Sequence, residues 1–158
     1  MSQASDALRR LQEGNQRFVE GAPLDHPIAD ARVQTVDGQQ PFCIVLGCSD
    51  SRVPAELVFD QGLGDLFVIR VAGNIATPAQ IGSVEFAATQ FGTPLVVVLG
   101  HSRCGAIRAT IDQLRAPQTD LSPGLTAIVD NIAPSVEALV AEADNGNERD
   151  KTNLVDRA

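Results

Sequence analysis

Two apolar runs in this chain end in the same three residues, and each hands the chain on to a side chain that binds metals. Cys43-Ile44-Val45-Leu46-Gly47 leads into Cys48, and Leu95-Val96-Val97-Val98-Leu99-Gly100 leads into His101. Val-Leu-Gly stands directly before both. Runs this short, uniformly apolar and closed by glycine read as strands of a parallel sheet covered on both faces. In such sheets, sites form at the carboxyl ends of the strands. Parallel strands also require crossover connections, usually helical.

The sequence supplies the crossovers. Helical spacing predicts a first helix over 5–20, with Leu8, Leu11, Asn15, Phe18 and Val19 on its stripe. Gly21, Pro23 and Pro27 end it, and 24–40 reads as an irregular surface connection. Strands are expected at 42–47, 66–71 and 95–100. Pro54 suits the first turn of a short helix between the first two strands. Ala72-Gly73-Asn74 reads as a turn. Thr77-Pro78 opens a helix with Ile81, Val84, Ala88 and Phe91 on its apolar stripe. Another helix covers 104–114. A last one opens at Ser122-Pro123 and is interrupted at Pro134. Residues 144–151 are polar and turn-like. The expected fold class is α/β: a parallel-core β-sheet flanked by helices, in one domain over 1–158. Residues 1–35 form an amino-terminal helical arm, and 41–158 carry the sheet and its helices.

Charge narrows the partners. Twelve basic residues face 20 acidic ones, a net charge of -8. That argues against nucleic acid and anionic membranes as main partners. Residues 1–20 lack the apolar segment of a secretory signal, and no apolar run nears the roughly 20 residues of a membrane helix. The three cysteines are an odd number, so without an export signal a disulfide framework is not expected. A cytoplasmic, reduced, metal-using protein fits this pattern.

His101 and Cys104 are three residues apart at a helix start, which places both on one face. If the first and third strands are neighbours, Cys48 comes within about 5 Å of that face. Two thiols and one imidazole are three zinc ligands, a composition found at catalytic zinc with an open fourth position. A closed structural zinc would need a fourth protein ligand, and Asp50 is the candidate. Plain buried thiols are the remaining reading. Asp50 and Arg52 can pair through a charge-assisted, even bidentate, hydrogen bond. Paired, Asp50 leaves the fourth position to solvent; released, it could take that position itself. Cys43 lies roughly 16 Å along an extended strand from Cys48 and cannot share the ion. His26, in the connection, reads as a solvated side chain.

Cys48-Ser49-Asp50-Ser51-Arg52, followed some fifty residues later by His101-Ser102-Arg103-Cys104-Gly105-Ala106, resembles the beta class of carbonic anhydrases. Gly14-Asn15-Gln16-Arg17-Phe18, 65–70 and 82–87 agree with that family as well. The resemblance implies Zn2+ on Cys48, His101 and Cys104, with Asp50 and Arg52 as the catalytic dyad. It implies reversible hydration of carbon dioxide to bicarbonate by zinc hydroxide, a carbonate dehydratase activity. Gln39 matches the glutamine that orients bicarbonate, Gly105 would offer a backbone N–H, and Phe67 and Ala72 match positions lining the carbon dioxide pocket. A homodimer or higher homo-oligomer is implied, with sites at the interface. Family members usually continue with a further helix and edge strand, so this chain is expected to lack them and to leave a sheet edge open. Members with an allosteric bicarbonate site carry a tryptophan where Val45 stands, and this chain has none. Hydrolysis of carbonyl sulfide or carbon disulfide on the same site, or a non-catalytic zinc-binding assembly role, are the alternatives.

Overall fold

The computed structural model describes residues 2–145. Three strands form one sheet in the order β2-β1-β3, every pair parallel: β1 Cys43–Gly47, β2 Leu66–Arg70 and β3 Val96–Leu99. The first and third strands are therefore neighbours, with Gly47 level with Leu99. Six helices accompany them among the described residues: α1 Gln3–Glu20, α2 Ile28–Gln34, α3 Ala55–Val58, α4 Pro78–Phe91, α5 Gly105–Arg115 and α6 Pro123–Asn145.

The two faces of β1 are both covered, and every residue of it is buried. Cys43 and Val45 pack with Leu11 of α1, Ala55 and Phe59 around α3, and Leu66. On β2, Phe67 meets Phe86 and Phe91 of α4, ring centroids about 6 Å apart. β3 departs from the expectation. Val97 and Leu99 join the inner cluster, but Val98 is 62% exposed and Val96 is exposed too. Among the described residues β3 pairs only with β1, so its other edge is open.

Several expected elements shift. The connection over 24–40 holds a helix, α2, none of whose residues is buried. On α1 the buried stripe is Ala7, Leu11 and Gly14, while Leu8, Phe18 and Val19 face outward. Of the expected stripe Leu11 is buried, and the small residues Ala7 and Gly14 on either side of it let α1 approach closely. On α4 only Ala87 is buried, and Ile81 and Ala88 are exposed. Pro134 does not interrupt α6, because it lies on the exposed side, where the lost backbone bond can be replaced by water. The buried stripe Ile132, Val136, Val140 and Ala143 runs past it and packs with Ile111 of α5. Continuous through Pro134, Pro123–Ala143 is long and apolar enough to cross a membrane by length and composition, contrary to the sequence reading. Its buried stripe instead gives it a packing role against α5. Asp144 and Asn145 continue the helix rather than forming a turn, and the rest of the expected polar segment lies outside the described residues.

His26 is not a solvated side chain. Its Nε2 lies 2.9 Å from Oδ1 of buried Asp60, which also pairs with Arg17 and accepts from the Leu24 N–H. Asp60 thus ties the end of α1 and the following connection to the turn after α3. Burial by itself would raise the Asp60 carboxyl; Arg17, the Leu24 N–H and His26 outweigh it and hold it below the ordinary range. The unfolded chain then takes up the proton more readily. The resulting stability is whole above about pH 4 and is lost as pH falls through the folded-state value. Asp60→Asn should therefore lower stability at neutral pH and flatten its decline below about pH 4. Urea midpoints at stepped pH check this; parallel pH curves for parent and variant would remove Asp60 from the account.

Candidate metal centre

The carboxyl ends of β1 and β3 bring Cys48, His101 and Cys104 together. One ligand atom from each lies within 4.8 Å of the others. The thiols of Cys48 and Cys104 are 3.9 Å apart, and both residues are buried. β1 releases the chain at Gly47, so Cys48 emerges beside the sheet end. Cys104 is the cap residue of α5, with its carbonyl accepting from the Arg108 N–H. The amino terminus of α5 favours negative charge beside it.

His101 is set up as a donor of electrons. Its side chain is 7% exposed. Nδ1 lies 3.0 Å from the Ser102 carbonyl. A carbonyl only accepts, so the proton sits on Nδ1 and Nε2 presents a lone pair. Nε2 is buried and has no hydrogen-bond partner among the described residues. Leaving such an atom unsatisfied costs roughly 1–3 kcal/mol. Burial alone would push the Cys48 thiol up. The backbone N–H groups of Asp50 and Gly73 oppose it by hydrogen bonding to the sulfur, and the thiol lies below its ordinary range. Two thiols and an imidazole lone pair, converging on one point, can hold a metal ion. Cys43 is separate: it faces the α1 side of the sheet, and burial raises its thiol to about 11.

Asp50 stands beside this cluster. Its Oδ2 is 4.0 Å from His101 Nε2. Both its oxygens are taken by Arg52, Nε to Oδ1 at 2.8 Å and Nη2 to Oδ2 at 2.7 Å, and the Arg52 backbone N–H adds a third bond. Arg52 lowers the Asp50 carboxyl far below the usual range, so it is ionised at any physiological pH. Here Asp50 turns to Arg52. Gly105 opens α5 next to Cys104, where the first N–H groups of a helix lack intrahelical partners.

Of the remaining candidates, Gln39 and Phe67 lie away from the cluster within one chain, and Ala72 directly precedes Gly73 beside Cys48. Gln39 precedes β1 and lies at the far end of the sheet, in a cleft with Gln34, Leu63 and Asp65. Phe67 is the second residue of β2, in the aromatic group with α4. Ala72 lines an apolar pocket of ≈ 370 Å³ between α5 and α6, with Ala106 and Ile128. The cleft that does open at His101 and Cys104, ≈ 680 Å³, is walled by 73–76 and by Asn131, Ile132 and Ser135 of α6. Sequence reading did not place α6 at this cleft, because only tertiary packing brings α6 beside 73–76 and His101. It also missed Gly73, whose φ of 70° places its N–H 3.4 Å from the Cys48 sulfur. A side chain there would lie 2.6 Å from Ile132. The Ala72-Gly73-Asn74 turn was the available signal.

Known proteins resemble this chain in sequence and fold. The carbonic anhydrase family model matches residues 43–158. "Carbonic anhydrase 2" of Mycobacterium tuberculosis is 47% identical over 134 residues, covering 82% of this chain and 63% of the relative. The carbonic anhydrase of Mycolicibacterium smegmatis is 46% identical over 132 residues with the same coverages. This chain thus spans less than two thirds of those relatives' length. The solved structure of the beta-carbonic anhydrase CcaA superposes with a TM-score of 0.62 at 31% identity, covering 94% of this chain and 73% of that one. The chain belongs to the beta class of the carbonic anhydrase family.

Proposed function

We propose that this chain catalyses the reversible hydration of carbon dioxide to bicarbonate at a zinc ion held by Cys48, His101 and Cys104. The observation that carries the reading is His101: a buried Nε2 lone pair with no partner among the described residues, facing two thiols, with an ionised carboxylate 4.0 Å away. Zinc, when bound, supplies a Lewis acid that makes water a nucleophile near neutral pH. The chain's own residues supply the rest. Arg52 keeps Asp50 ionised and turned aside, so its oxygens remain acceptors only. An acceptor at that place orients a reacting O–H and fixes which lone pair faces carbon dioxide. The Gly105 N–H, in the first turn of α5 beside Cys104, would receive a developing negative oxygen. The cleft beside α6 gives a small substrate access to His101 and Cys104.

Gln39 and Phe67 can act on substrate only if a second copy brings them to the cluster, which supports a homo-oligomer. The outward Phe18, Val19 and Val98 agree with such an assembly.

Stopped-flow hydration of carbon dioxide tests the activity. Sulfide release from carbonyl sulfide without hydration would redirect the substrate, and neither activity in a zinc-loaded protein would leave an assembly role. Asp50→Asn should retain zinc and lose roughly 10²-fold in turnover. Arg52→Ala should also retain zinc and lose turnover, because the carboxylate is no longer held aside. Full turnover in either variant would remove the dyad from the mechanism.

A further inference from the structure

The loop that carries Asp50 and Arg52 is held from two sides. On one side, Arg52 Nη2 donates to the Arg103 carbonyl at 3.1 Å, joining the loop to the segment between His101 and Cys104. On the other stands Arg70, the last residue of β2. Its Nε donates to the Cys48 carbonyl at 2.9 Å and its Nη2 to the Asp50 carbonyl at 2.5 Å. The β1–β2 ladder runs just past the strands, Val71 N–H to the Gly47 carbonyl and Ser49 N–H to the Val71 carbonyl. Beyond Ser49, the tie to the sheet passes through the Arg70 guanidinium.

Asp50 and Arg52 lie two residues apart in one loop. Their paired hydrogen bonds fix each to the other, but not the pair to the metal ligands. That needs anchors outside the loop. The Cys48 and Asp50 carbonyls flank the peptide units that set where the Asp50 side chain points. A planar guanidinium meets two such acceptors at once, which a single ammonium does not reproduce. We propose that Arg70 is a positioning residue: by holding these two carbonyls it keeps Asp50 turned to Arg52 and off the fourth position of the metal. The inference rests on the zinc reading above.

Cobalt(II) in place of zinc gives the test a readout apart from turnover. Azide added to the cobalt protein should change its visible spectrum by taking the open position. Arg70→Ala should keep one cobalt per chain yet bind azide about tenfold more weakly, as expected if the open form falls to roughly a tenth. Arg70→Lys should lie between. Adding Asp50→Ala to Arg70→Ala should restore azide binding, because no carboxylate then competes. Parental azide affinity in Arg70→Ala overturns the inference, as does loss of cobalt from that variant or a double variant as weak as the single. A parent that takes up no cobalt overturns the zinc reading and this inference together. A cobalt-loaded parent that binds azide beside an unaltered Arg70→Ala overturns this inference alone.

Discussion

Cys48→Ala and His101→Ala are each expected to abolish stable zinc binding, whereas Cys43→Ala binds one zinc per chain like the parent. Three ligand atoms lie within 4.8 Å of one another, and Cys43 sits on the α1 side of the sheet. Removing one thiol removes both a bond and a negative charge that offsets the ion. Removing the imidazole removes the buried lone pair that has no other partner among the described residues. The same argument makes zinc a stabilising ligand. Without it, His101 Nε2 stays buried with no partner among the described residues, and two thiols remain 3.9 Å apart. Chelation should lower the thermal midpoint of the parent, by an amount set by zinc affinity and concentration. In Cys48→Ala chelator should change nothing. Elemental analysis after gel filtration, with melting curves with and without chelator, checks both. Full zinc in Cys48→Ala would sink the ligand set.

The site was legible in the sequence because its chemistry is local. Cys48 and His101 each follow Val-Leu-Gly directly, and His101 and Cys104 share a helix start, so one assumption, that β1 and β3 are neighbours, assembles the cluster. The dyad is closer still in sequence. What the sequence hid depends on surfaces meeting. α1 offers two apolar stripes, and the larger side chains Leu8, Phe18 and Val19 are not the ones that pack within the chain. Ala7 and Gly14 beside Leu11 decide which face packs, and hydrophobic periodicity gives small residues little weight. Pro134 signalled a break that an exposed helix face tolerates, and the cleft wall from α6 depends on a tertiary contact that periodicity does not show. In the sequence Arg70 is one charged residue within the expected strand 66–71. Its role appears only when β2 lies beside β1 and its guanidinium reaches two carbonyls of the next loop. Gln39 shows the reverse: its expected role was imported with the resemblance, and one chain places it at the opposite end of the sheet.

Gly14→Ala should be the most damaging single methyl group in the described fold, although alanine is the better helix former. Gly14 lies inside α1, where Ala is favoured over Gly by about 1 kcal/mol. A Cβ there would stand 1.8 Å from the Phe59 carbonyl oxygen, against about 3.4 Å for ordinary contact. The obstacle is backbone, so no side chain can swing away. α1 would have to withdraw by roughly 1.5 Å. That would disturb Leu11 in the core, the Asn15 bond to the Val58 carbonyl and the Arg17–Asp60 pair together. Overpacking of this kind costs about 1–3 kcal/mol, and the strained hydrogen bonds add to it, so the propensity gain does not compensate. A net loss of roughly 3 kcal/mol corresponds to a fall of about 10 °C in Tm for a chain of this size. Gly82 provides the control. It lies inside α4, is exposed and would place its Cβ in open space. Gly82→Ala should therefore raise Tm slightly. Opposite signs for the same chemical change would assign the effect to the α1–α3 contact. If Gly14→Ala melts with or above the parent, α1 does not sit against Phe59 as described.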